Sequence, residues 1–342
     1  MTGARPLRLG TRRSRLATTQ STLVADALRA LGHEVELVQI VTEGDVNPAP
    51  LAAIGGTGVF AAALREALVR GDIDLAVHSL KDLPTRPHDA LTVAAIPPRE
   101  DPRDAVVARD GLTLGELGAG ARVGTGAPRR VAQLACLGWG LELLPIRGNV
   151  ETRLGLVTGG ELDAVVLAAA GLRRLGLLDR VSEVLDPIQM LPAPGQGALA
   201  VECRSDREDV RTLLAALDDS DTRACVEAER SVLAALEAGC SAPVGALGEI
   251  VEGDGSGPDG EPGLELSLRA FVGHPDGTAE LRRSVVGDPA DPAALGRRLA
   301  TLLLEDGAAD LVPAESRMAA SHAAPSRSAP KTTPETSLED TP

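Results

Sequence analysis

The feature that most constrains the fold is a regular alternation of short apolar runs and amphipathic stretches from residue 7 to residue 203. Alternation of this kind predicts mostly parallel sheets that are covered by helices. The sequence therefore indicates an α/β protein. The predicted strands are 7–9, 35–40, 73–77, 91–96, 122–124, 141–146, 163–168 and 198–203, and the predicted helices are 14–31, 58–70, one from about 128 and 150–159.

Two proline-rich joints interrupt this alternation, one at residues 97–102 and one at residues 187–194. Proline clusters between periodic segments mark loops and domain boundaries. We therefore expect a second domain that is inserted into the first. The expected boundaries are 1–98 together with 195–218 for domain 1, and 99–194 for domain 2.

The pattern changes again after residue 218. A helix over 222–238, two strands at 243–251 and 264–272 and a helix over 292–304 predict a small α+β domain over 219–312. Residues 313–342 are rich in Ala, Ser, Pro and Thr without apolar periodicity, and we expect this tail to be disordered.

Composition excludes several function classes. A net charge of −15 and an aromatic fraction of 1% argue against nucleic-acid binding, which needs cations and stacking platforms. No apolar run reaches the ~18–20 residues that span a bilayer. With no CxxC pair and no Cys/His cluster, we expect no metal, reduced thiols and a cytoplasmic protein. The cysteines are Cys136, Cys203, Cys225 and Cys240.

A lysine–aspartate pair directly follows a predicted buried strand, within the stretch His78–Pro84. Ligand crevices of open α/β sheets form at such strand ends. Lys81 is one of only two lysines among 34 basic residues, the other being Lys331 in the tail. The pair Lys81-Asp82 is thus either a functional ion pair or ordinary turn chemistry ahead of a proline.

Arginines recur at predicted strand ends and first helical turns. Between residues 121 and 154 there are five arginines and two acids, in a protein that is acidic overall. Gly124–Gly126 followed by Pro128 also predicts a turn and the start of a helix. The free N–H groups and the dipole of a helix N-terminus favour binding of an anion. Solvated surface arginine is the alternative, but the repeated placement favours a polyanion site. The arginines are Arg12, Arg129, Arg130, Arg147, Arg153 and Arg174.

Cys240 differs from the other cysteines because it follows a predicted helix end and lies in a loop. The dipole at a helix C-terminus disfavours a thiolate, and no histidine partner is evident in the sequence. A covalent attachment point therefore suits Cys240 better than a hydrolytic nucleophile.

Together these motifs resemble the porphobilinogen deaminase family, also called hydroxymethylbilane synthase. The resemblance covers about residues 7–310. It implies two periplasmic-binding-protein-like (type II) domains that form a cleft, with a small third domain. It also implies one dipyrromethane cofactor per chain, attached to Cys240 by a thioether. The matching stretches are 9–17, 41–45, 78–84, 99–104, 146–150, 167–176, 191–197 and 237–245.

The resemblance implies a transferase of tetrapyrrole biosynthesis that is expected to be a monomer. It joins four porphobilinogen molecules with loss of ammonia and releases hydroxymethylbilane with water. The implied catalytic residues are Asp82, Lys81 and Arg12. The implied cofactor contacts are Cys240, Lys81, Asp82, Arg129, Arg130, Gly126 and Ala127. The implied substrate contacts are Arg12, Ser14, Arg147, Asn149, Arg153, Arg174 and Gln196.

This chemistry suits the residue types. Each pyrrole carries an acetate and a propionate, and guanidinium groups bind carboxylates bidentately. The carboxylate of Asp82 suits the cation that forms when ammonia leaves.

The sequence departs from the family at two loops. Ala53 and Thr57 stand where lysines are common, and Gly126-Ala127 stands where a Ser-Ser pair is common. The competing hypothesis is a non-enzymatic anion-binding module on the same clamp, which would need neither Asp82 nor a cysteine-bearing third domain.

Overall fold

The computed structural model describes residues 5–41, 58–239, 242–253 and 263–313, without the side chains of 58–60. Helices and strands alternate in the first part of the chain, as the sequence predicts. The elements up to the first proline-rich joint are β1 (Leu7–Thr11), α1 (Arg15–Ala30), β2 (Val35–Gln39), α2 (Gly58–Arg70), β3 (Leu75–Ser79) and β4 (Leu91–Ala95).

The segment between the two joints contains its own strands and helices. These are β5 (Asp104–Ala108), β6 (Arg122–Thr125), α3 (Pro128–Cys136), β7 (Glu142–Pro145), α4 (Val150–Thr158), β8 (Ala164–Ala168), α5 (Ala169–Arg174) and β9 (Glu183–Val184). The chain then continues through β10 (Leu199–Arg204), α6 (Glu208–Leu214), α7 (Ser220–Ala235), β11 (Val244–Glu252), β12 (Leu264–Gly273), β13 (Glu280–Gly287), α8 (Pro292–Glu305) and α9 (Ala308–Leu311).

Two five-stranded sheets form the larger part of the molecule, with the orders β2-β1-β3-β10-β4 and β7-β6-β8-β5-β9. Each sheet with its helices is called a lobe, the first sheet forming the first lobe and the second sheet the second lobe. The α/β fold class is confirmed. Four strands of each sheet run in one direction, and one strand is antiparallel to both of its neighbours. The expectation of mostly parallel sheets holds for those four strands, and the reversed strand was not predicted.

The reversed strands are the two that the chain enters after crossing between sheets: β5 follows β4, and β10 follows β9. Sequence analysis missed β5, which follows a proline-rich joint and begins with a charged residue. The strand is buried from Asp104 to Val107, with Ala105 and Val106 fully inaccessible to solvent, and Ala108 is half-buried. In the structure the second joint continues to residue 198, just ahead of β10. The crossings bring the two joints side by side, where Glu100 N donates to Gly197 O at 3.3 Å.

A third, antiparallel sheet has the order β11-β12-β13, and α7 and α8 pack against it. Its core includes Val232, Leu268 and Leu299, all fully buried. The third strand of this sheet was missed from sequence, because β13 is mostly exposed and shows little apolar periodicity. The proposed domain boundaries at 98/99, 194/195 and 218/219 stay a prediction.

Helix α7 begins and ends earlier than the sequence indicates. Its N-cap is Asp219, whose side chain accepts from Thr222 N, so the helix begins at Ser220 and not at residue 222. It ends at Ala235, and Glu237 adopts a positive φ of 50°. Within the described ranges, no helix combines the length and apolarity needed to cross a membrane. The predicted tail lies, apart from residue 313, outside the described residues.

Candidate active site

The carboxyl ends of four strands gather the predicted site residues. Strands β1 and β3 end at Thr11 and Ser79 in the first sheet, and β6 and β7 end at Thr125 and Pro145 in the second. In open α/β sheets, ligands bind at such strand ends. The predicted residues that follow these four ends are Arg12, Ser14, Lys81, Asp82, Gly126, Ala127, Arg129, Arg130, Arg147, Asn149 and Arg153.

A fully buried carboxylate, Asp104 at the start of β5, organises two of the predicted arginines. Arg129 donates from Nη1 to Oδ2 at 2.6 Å and from Nη2 to Oδ1 at 3.0 Å. Arg130 donates to Oδ1 from Nη2 at 2.7 Å and from Nε at 3.1 Å. Main-chain carbonyls accept further hydrogen bonds: Arg129 Nη1 also donates to Leu191 O, and Arg130 Nη1 donates to Val166 O.

The charge balance of this cluster follows from its burial. Burial acts to raise the pKa of Asp104, but the charges and hydrogen bonds of Arg129 and Arg130 outweigh it and hold that pKa well below its usual range. The carboxylate is therefore ionised at neutral pH. Two guanidinium groups against one carboxylate leave the cluster positive, and the Nε of Arg129 is buried with no hydrogen-bond partner in the described structure.

Gln196, on the second proline-rich joint, connects this cluster to the first sheet. Its Oε1 accepts from Lys81 Nζ at 3.2 Å and from Arg129 Nη2 at 3.1 Å. Its Nε2 donates to Asp104 Oδ1 at 2.8 Å and to Pro102 O at 2.7 Å. One side chain thus joins the lysine of one lobe to the carboxylate and arginine of the other.

Lys81 is the third cation of the site. Burial lowers the pKa of its ammonium group to about 8, with Asp82 opposing the shift and Arg130 and Arg129 adding to it. A large fraction of Lys81 is therefore neutral at mildly alkaline pH. Three donors on a compact head allow it to hold Gln196 and still reach an anion.

Asp82 follows Lys81 in a one-turn 3₁₀ helix, Leu80–Asp82, and is half-buried. Its charge acts across the cleft, since it raises the pKa of Arg153 on α4 against the lowering effects of burial and of Arg130. The residue therefore lies at the face that the two lobes share. Among the described groups, no donor occupies its carboxylate with a hydrogen bond.

The outer arginines line the second lobe and the joint. Arg153 donates from Nε to Gly148 O at 2.9 Å, and Arg174 donates from Nη2 to Gly197 O at 2.6 Å. Burial lowers the pKa of both side chains. Arg12 is half-buried after β1 and Arg147 is exposed after β7.

Two predicted substrate contacts act as helix N-caps. Ser14 accepts from Ala17 N at 3.3 Å at the start of α1, and Asn149 accepts from Thr152 N at 2.8 Å at the start of α4. N-capping side chains satisfy amides that the helix leaves unpaired. Both residues thus fix the orientation of a helix N-terminus at the cleft.

Gly126 and Ala127 occupy a tight junction between β6 and α3. A Cβ on Gly126 would lie 2.7 Å from Ile146 O, so no side chain fits there without movement of the backbone. Ala127 is the N-cap of α3 and has no capping hydroxyl. The structure explains the absence of a serine at residue 126 but gives no such reason at residue 127.

Sequence reasoning missed Asp104 as a member of the site. The residue lies within the quoted stretch 99–104, but its partners Arg129 and Gln196 are 25 and 92 positions away. The signal that could have found it is an acidic residue opening a fully buried strand, which requires a cationic partner.

Cys240 and the residues Ala53 and Thr57 lie outside the described residues. Cys203 and Cys225 are buried, as expected of structural cysteines, while Cys136 is half-buried. Burial and Glu280 raise the pKa of the Cys136 thiol to about 11.

Two α/β lobes thus converge on a buried cationic cluster with a half-buried lysine–aspartate turn beside it, an arrangement typical of proteins that bind anions. The chain belongs to the porphobilinogen deaminase family. The family description "Porphobilinogen deaminase, dipyromethane cofactor binding domain" matches residues 7–212, and "Porphobilinogen deaminase, C-terminal domain" matches residues 223–305.

Named relatives agree with this assignment. Porphobilinogen deaminase of Nocardia farcinica is 60% identical over 307 residues, which cover 90% of this chain and 88% of that protein. The Mycobacterium tuberculosis protein of the same name is 58% identical over 306 residues, covering 90% and 98%. Among solved structures, the methionine binding protein MetQ matches with a TM-score of 0.42 and 14% identity, covering 64% of this chain and 91% of that chain.

Proposed function

We propose that this protein is a hydroxymethylbilane synthase that joins four porphobilinogen molecules on a covalent dipyrromethane primer. The enzyme releases ammonia at each addition and hydrolyses the finished linear tetrapyrrole from the primer. The observation that carries the proposal is the positive cluster of Lys81, Arg129 and Arg130, with the carboxylate of Asp82 next to it. Family membership supplies the substrate class.

The residues present fit the dipyrromethane. Its acetate and propionate groups need cationic donors, and the site offers an ammonium group and a buried Arg129 Nε that finds no partner among the described residues. Lys81, Asp82, Arg129, Arg130 and the main chain at Gly126 and Ala127 would hold it, with Cys240 as the attachment point. When bound, it supplies the terminal pyrrole that receives the first substrate.

The chemical step falls to Asp82. Loss of ammonia from the aminomethyl group of porphobilinogen leaves positive charge on the carbon and its pyrrole ring, which a nearby carboxylate stabilises electrostatically. The same carboxylate accepts a hydrogen bond from the pyrrole N–H, and its acid form delivers a proton to the departing nitrogen. Lys81 and Arg12 hold the carboxylates around the reacting centre.

The remaining residues hold the growing polyanion. Arg147, Arg153 and Arg174 extend from the cluster along the second lobe and bind acetate and propionate groups of successive pyrroles. Ser14 and Asn149 orient the helix N-termini toward the same anions. Gln196 keeps the two lobes in register. We further propose that the enzyme is a cytoplasmic monomer that requires neither nucleic acid nor membrane.

Intact mass of the purified protein tests the proposal. We expect the wild-type chain to carry two additional pyrrole units and the Cys240→Ser variant to carry none, while both fold alike by circular dichroism. Cys225→Ser serves as the matched control and should retain the adduct. An unmodified wild-type mass, or an adduct on another cysteine, would support a simple anion-binding module instead.

A further inference from the structure

An arginine of the third domain donates hydrogen bonds to the main chain of the turn that carries Lys81 and Asp82. Arg230 of α7 donates from Nη1 to Leu80 O at 3.2 Å and to Leu83 O at 2.9 Å, and from Nη2 to Pro84 O at 2.7 Å. One planar guanidinium thus binds three carbonyls within five residues. Only arginine offers such a rigid fork of donors.

Arg230 differs from an arginine in an ordinary ion pair because its partners are carbonyl groups. Within the described structure, every hydrogen bond that Arg230 donates goes to a main-chain carbonyl of this turn, and none goes to a carboxylate. Burial lowers the pKa of Arg230 to about 10, with Arg65 acting in the same direction and Glu202 opposing. The chain therefore keeps a desolvated cation whose visible role is to bind backbone.

Apolar contacts support the same connection. Leu80 and Leu83 are 2% and 4% exposed, and they pack in one cluster with Val226 of α7. Leu80 N also donates to Ala198 O at 3.1 Å. The turn is therefore enclosed by α7 on one side and by the second joint on the other, and its carbonyls have few alternative donors.

Helix α7 is itself fixed to both joints by the preceding residue, Glu229, which is fully buried. Arg99 donates to its two oxygens at 2.6 and 3.0 Å, and Gly195 N donates at 2.6 Å. The same helix leads, four residues after its end at Ala235, to residue 239 and then to Cys240. Two consecutive side chains of α7 thus fix positions relative to this helix: Glu229 fixes the two joints, and Arg230 fixes the turn.

We infer that Arg230 is a positioning residue, which fixes the Lys81–Asp82 turn relative to the helix that leads to Cys240. The inference rests on the proposed function for the identity of the reacting groups. It explains why the third domain takes part in the chemistry of a cleft that the first two lobes form. A displacement of about 1 Å in a reacting group costs up to about 10²-fold in rate, so loss of this fork should act on turnover.

The test compares Arg230→Gln with Arg223→Gln. Arg223 lies two turns earlier on α7 and pairs with Asp218 at 2.7 Å, so it controls for loss of an arginine from this helix. In Arg230→Gln we expect kcat for porphobilinogen to fall by about 10–100-fold with KM within about twofold, because the substrate-binding arginines are untouched. In Arg223→Gln we expect both constants to remain near wild type.

A second readout follows the turn directly and needs no substrate. Amine labelling with peptide mapping is done in a Cys240→Ser background, where no cofactor carboxylate contacts Lys81. It should give a pH–rate midpoint near 8 for Lys81 when Arg230 is intact, with Lys331 as the internal reference. Release of the turn exposes Lys81 to water, so in Arg230→Gln the midpoint should rise by about one pH unit or more. Arg223→Gln should leave it unchanged.

The outcomes separate the inference from the proposed function. A wild-type kcat and an unmoved Lys81 midpoint in a folded Arg230→Gln protein overturn the positioning role. If the wild-type protein turns over no porphobilinogen but Arg230→Gln still shifts the Lys81 midpoint, the positioning role is supported and the proposed function is contradicted. If Arg230→Gln does not fold, Arg230→Lys keeps the charge with a single donor, and wild-type turnover in that variant likewise overturns the inference.

Discussion

At the scale of single residues, the site depends on one carboxylate that binds two arginines. Asp104 takes four hydrogen bonds from Arg129 and Arg130 and a fifth from Gln196. The arginines are therefore held in place before any ligand arrives, and little side-chain entropy remains to be lost on binding. Preorganised cations of this kind suit the repeated binding of similar anions.

We predict that Asp104→Asn destabilises the protein by about 3–5 kcal/mol, since two buried guanidinium groups lose their counter-charge. Urea denaturation measures this. Asp101→Asn is the control: Asp101 pairs with the half-exposed Arg103, so its loss should cost within about 1 kcal/mol. Equal effects of the two substitutions would contradict the account of the cluster.

The same carboxylate predicts a pH dependence. The folded pKa of Asp104 is depressed, so its contribution to stability is complete above the unfolded pKa of about 3.9 and is lost as the pH falls toward the folded value. Between about pH 5 and pH 3, wild-type stability should therefore fall more steeply than that of Asp104→Asn.

Asp82 permits a separation of chemistry from binding. Asp82→Asn keeps the shape of the side chain but removes the charge that opposes the developing cation. We predict a loss of about 10²–10³-fold in single-turnover ammonia release, with the fold intact. A rate near wild type would show that Asp82 only shapes the turn ahead of Pro84.

At the scale of elements, the sequence predicted most strands and helices of the two lobes because their apolar periodicity is local. It missed β5, β9, α5 and α6 in the lobes and β13 in the third sheet. Of these, β5 follows a proline-rich joint and β13 is largely exposed. The Lys81–Asp82 turn and the arginines were visible as motifs at strand ends. The contacts of Asp104 and Arg230 were not, because Asp104 meets Gln196, and Arg230 meets Leu80, across 92 and 150 positions of sequence.

The junction of β6 and α3 gives a prediction at this scale. Ala127→Ser should stabilise the protein by about 0.5–1 kcal/mol, because a hydroxyl at the N-cap of α3 satisfies an unpaired helix amide. Gly126→Ser should destabilise it, because its Cβ would approach Ile146 O to 2.7 Å. Thermal unfolding of the two variants measures both changes in stability. A Gly126→Ser protein as stable as the wild type would mean that the ends of β6 and β7 move apart at little cost.

At the scale of the whole molecule, a single side chain connects the third sheet to both crossings between the lobes. Glu229 accepts hydrogen bonds from Arg99 on the first joint, from Gly195 N on the second and from Gly248 N on β11. Each donor belongs to a different part of the chain. The third domain is therefore connected to both crossings between the lobes through one carboxylate, in addition to its apolar contacts.

We predict that Glu229→Gln makes the third domain unfold separately from the lobes. The amide retains one acceptor oxygen but turns an NH₂ group toward donors, and the Arg99 guanidinium loses its partner, so the connection weakens by about 3–5 kcal/mol. Scanning calorimetry should then resolve two transitions where the wild type shows one. Glu227→Gln is the control, because Glu227 lies on the same helix but is half-exposed and pairs with Arg223 at 3.3 Å; it should cost at most about 0.5 kcal/mol. A single, unshifted transition in Glu229→Gln would show that apolar packing alone couples the domains.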